Sequence, residues 1–203
     1  MDVLSDVLAA VRLKGALFFD IVAGTPWVAE TPAAQVIAPA VMPEAEHIIM
    51  FHLIMSGSCW AALGHEGADP PVRLSAGDVL VVPNGLHHVM GSTPGERSTP
   101  AFALYRRPID ESLPFSIRHG GDGDERTRFV CGYLGCDARP FNPLLSALPD
   151  LMCAHPPEGG SWVHDLFRIA LAERDRKRST AATGCANSTI APAAGALTSA
   201  GMT

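Results

Sequence analysis

Short apolar runs separated by turn-forming residues occupy the chain from Ala16 to about Val130, and this pattern restricts the fold more than any other feature. The runs are GALFFDIVAG, AAQVIAPAVM, HIIMFHLIMSG, SCWAALG, PVRLSAG, DVLVVPNG, HHVMG, AFALYRR and TRFVCGYL. Many short strands at regular spacing, with Gly, Pro, Asn and Asp between them, indicate a sandwich or barrel. The predicted fold class is therefore mainly β.

Helical patterns are confined to the two ends of the chain. Apolar residues recur at helical spacing in residues 2–13, which predicts an N-terminal amphipathic helix. Asn142 is a good N-cap for a second helix that Pro149 limits to a few turns. Ser161 is the predicted cap of a third helix, which has one apolar stripe and a basic last turn ending at Arg178.

These patterns divide the chain into three predicted segments. Residues 1–138 form a barrel with the N-terminal helix, and residues 139–178 form a helical segment. Residues 179–203 contain no charged residue, no aromatic residue and no periodicity. Such a segment cannot bury enough apolar surface to offset its ordering entropy, so we predict a disordered low-complexity tail.

Composition excludes several classes of protein. The chain has 203 residues, 47% of them hydrophobic, which is sufficient for one core. Its net charge of -6 argues against the basic footprint of a nucleic-acid-binding domain. The five cysteines are an odd number without a secretory leader, and no apolar run has the length of a membrane span. We therefore expect a cytoplasmic protein with reduced thiols and no membrane contact.

One stretch, GDVLVVPNGLHHVMG, combines turn residues with a histidine pair. Gly77, Pro83, Gly85 and His88 have the spacing G-x5-P-x-G-x2-H. Gly77 permits a tight turn that Asp78 caps, and Gly85 can adopt positive φ where the chain reverses. The spacing resembles the second signature of the cupin superfamily, which implies a double-stranded β-helix, or jelly-roll, barrel.

Only one histidine of the pair can face into such a barrel, because successive residues on a strand face opposite sides. The resemblance assigns the inward position to His88 and the outward position to His87. The first cupin signature departs from the usual pattern, since EAEHIIMFHLIMSG has its Glu and His residues in a different arrangement. The usual site of three histidines and one glutamate is therefore not expected.

Strand alternation points to a different set of inward side chains. Arg126 and Arg128 share one parity, which places the other parity in the interior. The residues of that inward parity are Thr127, Phe129, Cys131 and Tyr133.

His52, His88 and Cys131 are thus candidate ligands of a site with two nitrogens and one sulfur, a set that suits Zn²⁺. The alternative is that Cys131 is a small buried hydrophobe and that the histidines are hydrogen-bonded and inert. The reserve candidates are Cys59, Cys136 and His87. The histidines expected in turns or on exposed faces are His47, His65, His119, His155 and His164.

Several longer segments extend the resemblance over nearly the whole chain. They are LSDVLAAVRLKGALFF, PW, FHLIMSGSCW, LSAGDVLVVPNGLHHVM, VCGYLGCD, FNPLLSALPDLM and the helix that Trp162 begins. In this order they resemble the N-terminal cupin-type ligand-binding domain of AraC-type transcription regulators. The resemblance implies a barrel that receives a small effector or a redox signal, and helices that form a homodimer. The family's C-terminal helix-turn-helix units have no counterpart after Arg178, so we expect no direct DNA binding by this chain.

Three functions follow from these patterns. The first is a non-enzymatic sensor that binds a small molecule, for which the candidate ligand-binding residues are His52, Cys59, His88, Cys131 and Tyr133. The second is a metal-dependent cupin enzyme, such as a small oxygenase or isomerase, for which no catalytic residue is assigned. The third is redox sensing through cysteines, in which His88 would lower the pKa of a nearby thiol.

Overall fold

The computed structural model describes four parts of the chain: residues 13–100, 115–137, 147–156 and 161–186. The predicted N-terminal helix lies outside the described residues except for Leu13, which begins a strand. The predicted strand AFALYRR and most of the helix predicted after Asn142 also lie outside them.

Among the described residues, ten strands form two sheets. The first sheet contains β1 (Leu13–Gly24), β3 (His47–Ser56), β6 (Val79–Val82), β8 (Phe115–Gly120), β9 (Arg126–Cys136) and β10 (Met152–Ala154). The second contains β2 (Val28–Thr31), β4 (Ser58–Leu63), β5 (Val72–Ser75) and β7 (His88–Gly91). Their orders are β10-β6-β3-β9-β1-β8 and β2-β7-β4-β5. The prediction of a mainly β jelly-roll barrel is confirmed.

The two sheets enclose one apolar core, and strand alternation determines which residues enter it. On β9 the four residues of the predicted inward parity are all buried: Thr127, Phe129, Cys131 and Tyr133. From the other strands of the first sheet the core receives Ile48, Ile54, Leu80 and Val82. The parity assignment is therefore confirmed.

The turns before and after β6 have the conformations that their sequences predict. Gly77 has φ of 95° and Gly85 has φ of 59°, both in the left-handed region that favours glycine. The Ser75 N–H donates a 2.8 Å hydrogen bond to Asp78 Oδ2, which caps the turn. These two turns place His88 at the start of β7.

One predicted strand is a helix. The run AAQVIAPAVM forms α1 (Ala34–Val41) instead of a strand. Its buried residues, Ala34, Ile37 and Val41, recur at helical spacing and pack on the core. A short apolar run between turn residues fits a strand and a helix equally well, and Pro39 inside it further obscured the helical pattern.

The predicted segment 139–178 also differs in part from the structure. Met152, placed at the end of a predicted helix, begins β10, which pairs antiparallel with β6. The barrel sheet thus extends into the segment predicted as helical. The helix at Trp162 is confirmed as α2 (Trp162–Ala186), which continues past Arg178 into the predicted tail. Residues 187–203 lie outside the described residues.

Helix α2 packs on the outer face of the first sheet through a buried ion pair. Asp20 is 3% exposed and accepts hydrogen bonds from Arg128 Nε at 2.8 Å and Arg174 Nη2 at 2.7 Å. Because Arg174 belongs to α2 and the other two residues belong to strands, the carboxylate joins the helix to the barrel.

An aromatic cluster makes the second contact between α2 and the barrel. The Phe167 ring of α2 lies 5.4 Å from Phe18 and 6.3 Å from Phe51, between ring centroids. Phe51 lies opposite Gly132 on β9, and its ring occupies the space that a Cβ on Gly132 would need. Glycine at this position therefore allows the ring to lie flat enough on the sheet for α2 to pack above it.

The opposite side of α2 carries an apolar stripe. Trp162, Leu166 and Ile169 recur at helical spacing and are 77%, 56% and 60% exposed. Within the described parts of the chain, no helix combines the length and the apolar character that crossing a bilayer requires.

Candidate functional site

Three predicted site residues meet in the barrel interior. His52 on β3 and Cys131 on β9 are paired in the sheet register, and His88 reaches them from the opposite sheet. His52 Nδ1 lies 2.7 Å from Cys131 Sγ, and His52 Nε2 lies 2.7 Å from His88 Nε2. All three side chains are buried, and His88 is 0% exposed. The outward position predicted for His87 is also confirmed, since it is partly exposed.

Cys131, His52 and His88 form a hydrogen-bonded series of side chains, which we call the interior chain. A backbone carbonyl determines how protons are arranged along it. His88 Nδ1 lies 2.9 Å from the Leu86 carbonyl oxygen, which can only accept, so Nδ1 carries a proton. A neutral His88 then accepts at Nε2 from the His52 Nε2–H. His52 Nδ1 is left as an acceptor for the thiol proton of Cys131. The interior chain therefore runs in one direction, from thiol to carbonyl.

Burial keeps all three groups neutral. It lowers the pKa of His88 to about 4, although the hydrogen bond to Leu86 opposes this shift. Burial, and then the proximity of His88, lowers the pKa of His52 well below its usual range. Burial, and then the proximity of Cys59, raises the pKa of the Cys131 thiol.

The expectation that His88 lowers the pKa of a nearby thiol is therefore wrong for Cys131. An imidazole stabilises a thiolate when it is protonated and positively charged. Both interior histidines are neutral at pH 7. Cys131 is thus a protonated thiol rather than a reactive thiolate.

The interior chain contains the donor types of a metal site but not the geometry of one. Two imidazoles and a thiol are donors that suit Zn²⁺. His52, however, lies between the other two residues and directs a different ring nitrogen to each of them. One ion could use only one of those nitrogens, so this arrangement does not present three donors to a common point. Zinc binding by His52, His88 and Cys131 stays a prediction.

A small cavity adjoins His52 and Cys131. Its volume is about 40 Å³, close to that of one water molecule. Its apolar lining includes Phe19, Ile21, Ile117 and Phe129, and its polar lining consists of Thr31, His52, His119, Cys131 and Tyr133. Tyr133 thus lies at the cavity, as the sequence predicts.

The cavity lies beneath a seam of the barrel. β8 is an edge strand of the first sheet and β2 is an edge strand of the second. These two strands are not paired by backbone hydrogen bonds. His119 crosses this seam and donates from Nε2 to the Val28 carbonyl oxygen at 2.9 Å. His119 was predicted to be exposed, but it lines the cavity; its shared parity with Ile117 on β8 could have revealed this.

The remaining candidates lie outside the cavity lining, although Cys59 is close enough to raise the pKa of the Cys131 thiol. Cys59 is buried on β4, where burial, and then Asp78, raises its pKa to about 12. Cys136 is buried at the end of β9, opposite His47. His87 Nε2 lies 2.6 Å from Glu30 Oε2. None of these three lines the cavity described above.

Comparison with known protein families gives a match over most of the chain. A family model described as Cupin matches residues 2–183. No curated protein matches the chain.

Proposed function

The chain belongs to the cupin family, and on this basis we propose that it is the sensing domain of an AraC-type transcription regulator. Cupin domains matched by this family model occur in such regulators. The signal, a small molecule or an oxidant, would be received inside the barrel. The observation that carries the proposal is the buried chain of Cys131, His52 and His88, of which Cys131 and His52 line the cavity.

The chemistry of the cavity supports binding better than turnover. Among the described residues that line it, none is a carboxylate. Of the two histidines that line the cavity, His52 is engaged at both ring nitrogens and His119 donates from Nε2 to the Val28 carbonyl oxygen. A general acid or base needs a pKa near the working pH, whereas burial lowers the pKa of His52 well below its usual range.

The size and polarity of the cavity restrict the signal. Ligand pockets for drug-sized molecules have volumes of roughly 300 to 1,000 Å³, and this cavity has about 40 Å³. An ion would lose its hydration there without an opposite charge to replace it. The signal that fits is small and uncharged, or it enters by widening the seam that His119 bridges.

Strand β9 provides a route from the interior to α2. Cys131 faces inward on this strand, and Arg128 faces outward and donates to Asp20. Asp20 also accepts from Arg174 of α2. A displacement of β9 at Cys131 would therefore reach the ion pair that holds the helix.

The exposed stripe of Trp162, Leu166 and Ile169 supports a homodimer as the assembled form of the sensor. Three large apolar side chains on one helix face exceed the scattered exposure that is normal for a monomer surface. A second copy of the same stripe would form the self-complementary contact of a two-fold dimer. Within the predicted segment 139–178, α2 would then be the dimerisation element.

Oxidation followed by mass mapping and hydrogen exchange tests the proposal. The reduced protein would be treated with increasing amounts of hypochlorous acid, a small uncharged oxidant. Because the Cys131 thiol is buried and protonated, we expect the more exposed Cys153 to react first, and the amides of α2 to exchange faster only at the oxidant levels at which Cys131 is oxidised. Cys131→Ser should abolish the change in exchange, whereas Cys136→Ser, a buried cysteine on the same strand, should retain it.

Two results would count against the proposal. Oxidation at Cys131 without any change in α2 would remove the link to the helix. Absence of both oxidation and any thermal shift with small uncharged compounds would remove the interior as a receiving site.

A further inference from the structure

A second group of metal-ligating side chains lies where β10 pairs with β6. Ala154 lies opposite Val79, so the next pair outward joins His155 to Asp78. Because alternate residues of a strand share a face, Cys153 lies on the same side as His155. The pairing of two strand ends thus brings a thiol, an imidazole and a carboxylate together.

The donor atoms of these three side chains converge. One ligand atom from each of Asp78, Cys153 and His155 lies within 4.8 Å of the other two, and among the described residues this is the one group that does so. His155 Nδ1 lies 2.8 Å from Asp78 Oδ1. The other carboxylate oxygen accepts from the Ser75 N–H at 2.8 Å, which fixes the orientation of the carboxylate.

The group is anchored on one side and open on the other. Asp78 is 6% exposed and Cys153 is partly buried, so two of the three side chains are held by the barrel. The His155 side chain is 71% exposed. An ion can therefore reach the group from solvent, and a water molecule can complete its coordination.

We propose that Asp78, Cys153 and His155 bind one Zn²⁺ ion, with water as the fourth ligand. Thiolate sulfur, imidazole nitrogen and carboxylate oxygen are the three donor types that tetrahedral zinc uses. Ca²⁺ and Mg²⁺ are coordinated by six or more ligand atoms, nearly all of them oxygens, which this group does not offer. On binding, the Cys153 thiol releases its proton to solvent and the ion replaces the hydrogen bond between Asp78 and His155.

The electrostatics of the group favour a cation. Burial, and then the Asp78 carboxylate, raises the pKa of Cys153, because a thiolate there would be partly desolvated and next to a negative charge. A divalent cation between them compensates both effects.

Binding would also fasten the edge of the barrel. β10 is three residues long and is the end strand of its sheet. An ion held by Asp78 beside β6 and by Cys153 of β10 crosslinks the two strands. A ligand that binds only the folded state stabilises it, so zinc should raise the melting temperature.

Cobalt substitution tests the site directly. The reduced full-length protein would be titrated with Co²⁺, whose thiolate complexes absorb in the near ultraviolet, and Zn²⁺ would then displace the cobalt. We expect one Co²⁺ per chain and a thiolate band that disappears in Cys153→Ser. Zinc affinity should fall by more than the roughly 10- to 100-fold loss expected for an outer-shell residue.

Three further variants make the result specific. His155→Ala alters an exposed side chain and should fold, yet lose the melting-temperature increase with zinc. Asp78→Asn keeps an oxygen for the Ser75 N–H and should weaken binding without opening the turn. Cys131→Ser should leave the cobalt band unchanged. Absence of a band in the wild-type protein, or a band that depends on Cys131 and survives in Cys153→Ser, would overturn the proposal.

Discussion

At the scale of single residues, the Leu86 carbonyl determines the protonation of the interior chain. It can only accept a hydrogen bond, so each group from His88 to Cys131 must donate in one direction. A fully satisfied buried network is stable, and one with a missing or extra proton is costly. Loss of the Cys131 proton would therefore change the hydrogen bonding of both histidines.

This arrangement predicts that acid destabilises the protein above the range in which carboxylates titrate. The pKa of His88 is about 4 in the folded state, below its usual value of 6.5. Between these values the unfolded chain binds a proton that the folded chain does not, so stability is present above pH 6.5 and is lost as the pH falls. The free energy of unfolding should decrease by about 1.4 kcal/mol per pH unit for each such histidine.

Urea unfolding at pH 7.5, 6.5 and 5.5 measures this slope. His88→Gln, whose amide can replace both hydrogen bonds, should reduce the slope by one proton, whereas His65→Gln at an exposed position should not. Glu30 does not interfere, because its carboxylate has a pKa of about 2, lowered chiefly by Arg97, and titrates below this range. An equal slope in the wild-type protein and in His88→Gln would contradict the assignment.

The sequence predicts which residues enter the interior but not how their atoms are arranged. Alternation along β9 places Cys131 inside, and the turn at Gly85 directs His88 inward. Whether three donors converge or form a chain depends on χ angles and on the Leu86 carbonyl, which no spacing encodes. His155 is exposed, as the sequence predicts, but its contact with Asp78 could not be predicted, because the two residues are distant in sequence and only the pairing of β10 brings them together.

At the scale of elements, a single buried carboxylate connects α2 to the barrel. Arg174→Met removes one of the two arginines that compensate Asp20, while Arg128 remains. We expect a loss of about 2 kcal/mol in stability, less than the 3 to 5 kcal/mol for breaking an isolated buried pair. Hydrogen exchange of the α2 amides should accelerate more than exchange in β3 or β9.

Arg176→Met is the matched control on the same helix. Arg176 forms an exposed pair with Glu173 and should leave both stability and exchange unchanged. Equal effects of the two substitutions would show that Asp20 does not hold the helix.

The elements that the sequence predicts correctly are those whose pattern is local. β3 is an almost continuous apolar run between turn residues, β9 begins with alternating charged and inward-facing residues, and α2 has a complete amphipathic period. α1 is too short for its period to be distinguished from a strand. β10 is three residues long, so it is stabilised by its pairing with β6 rather than by its own sequence.

At the scale of the whole molecule, the exposed stripe on α2 predicts the oligomeric state. The double variant Trp162→Ser, Leu166→Ser should raise the dissociation constant of the dimer by at least about thirtyfold. Central apolar residues of an interface typically contribute about 2 kcal/mol or more to binding. Arg168→Ser, on the same helix and exposed, should have little effect. Sedimentation velocity over a concentration series gives the dissociation constants.

A wild-type chain that remains monomeric throughout the series would contradict self-association through this stripe. A loss of dimer in Arg168→Ser equal to that in the double variant would assign the effect to general disturbance of the helix.

Gly132 has a consequence for how the chain can change over time. Its missing Cβ leaves the space that the Phe51 ring fills, and Phe167 of α2 packs against that ring. A lineage that acquired a larger residue at position 132 would need a smaller one at position 51 or 167 to retain the helix. Substitutions at these three positions should therefore be inherited together, even though position 167 belongs to a different element from the other two.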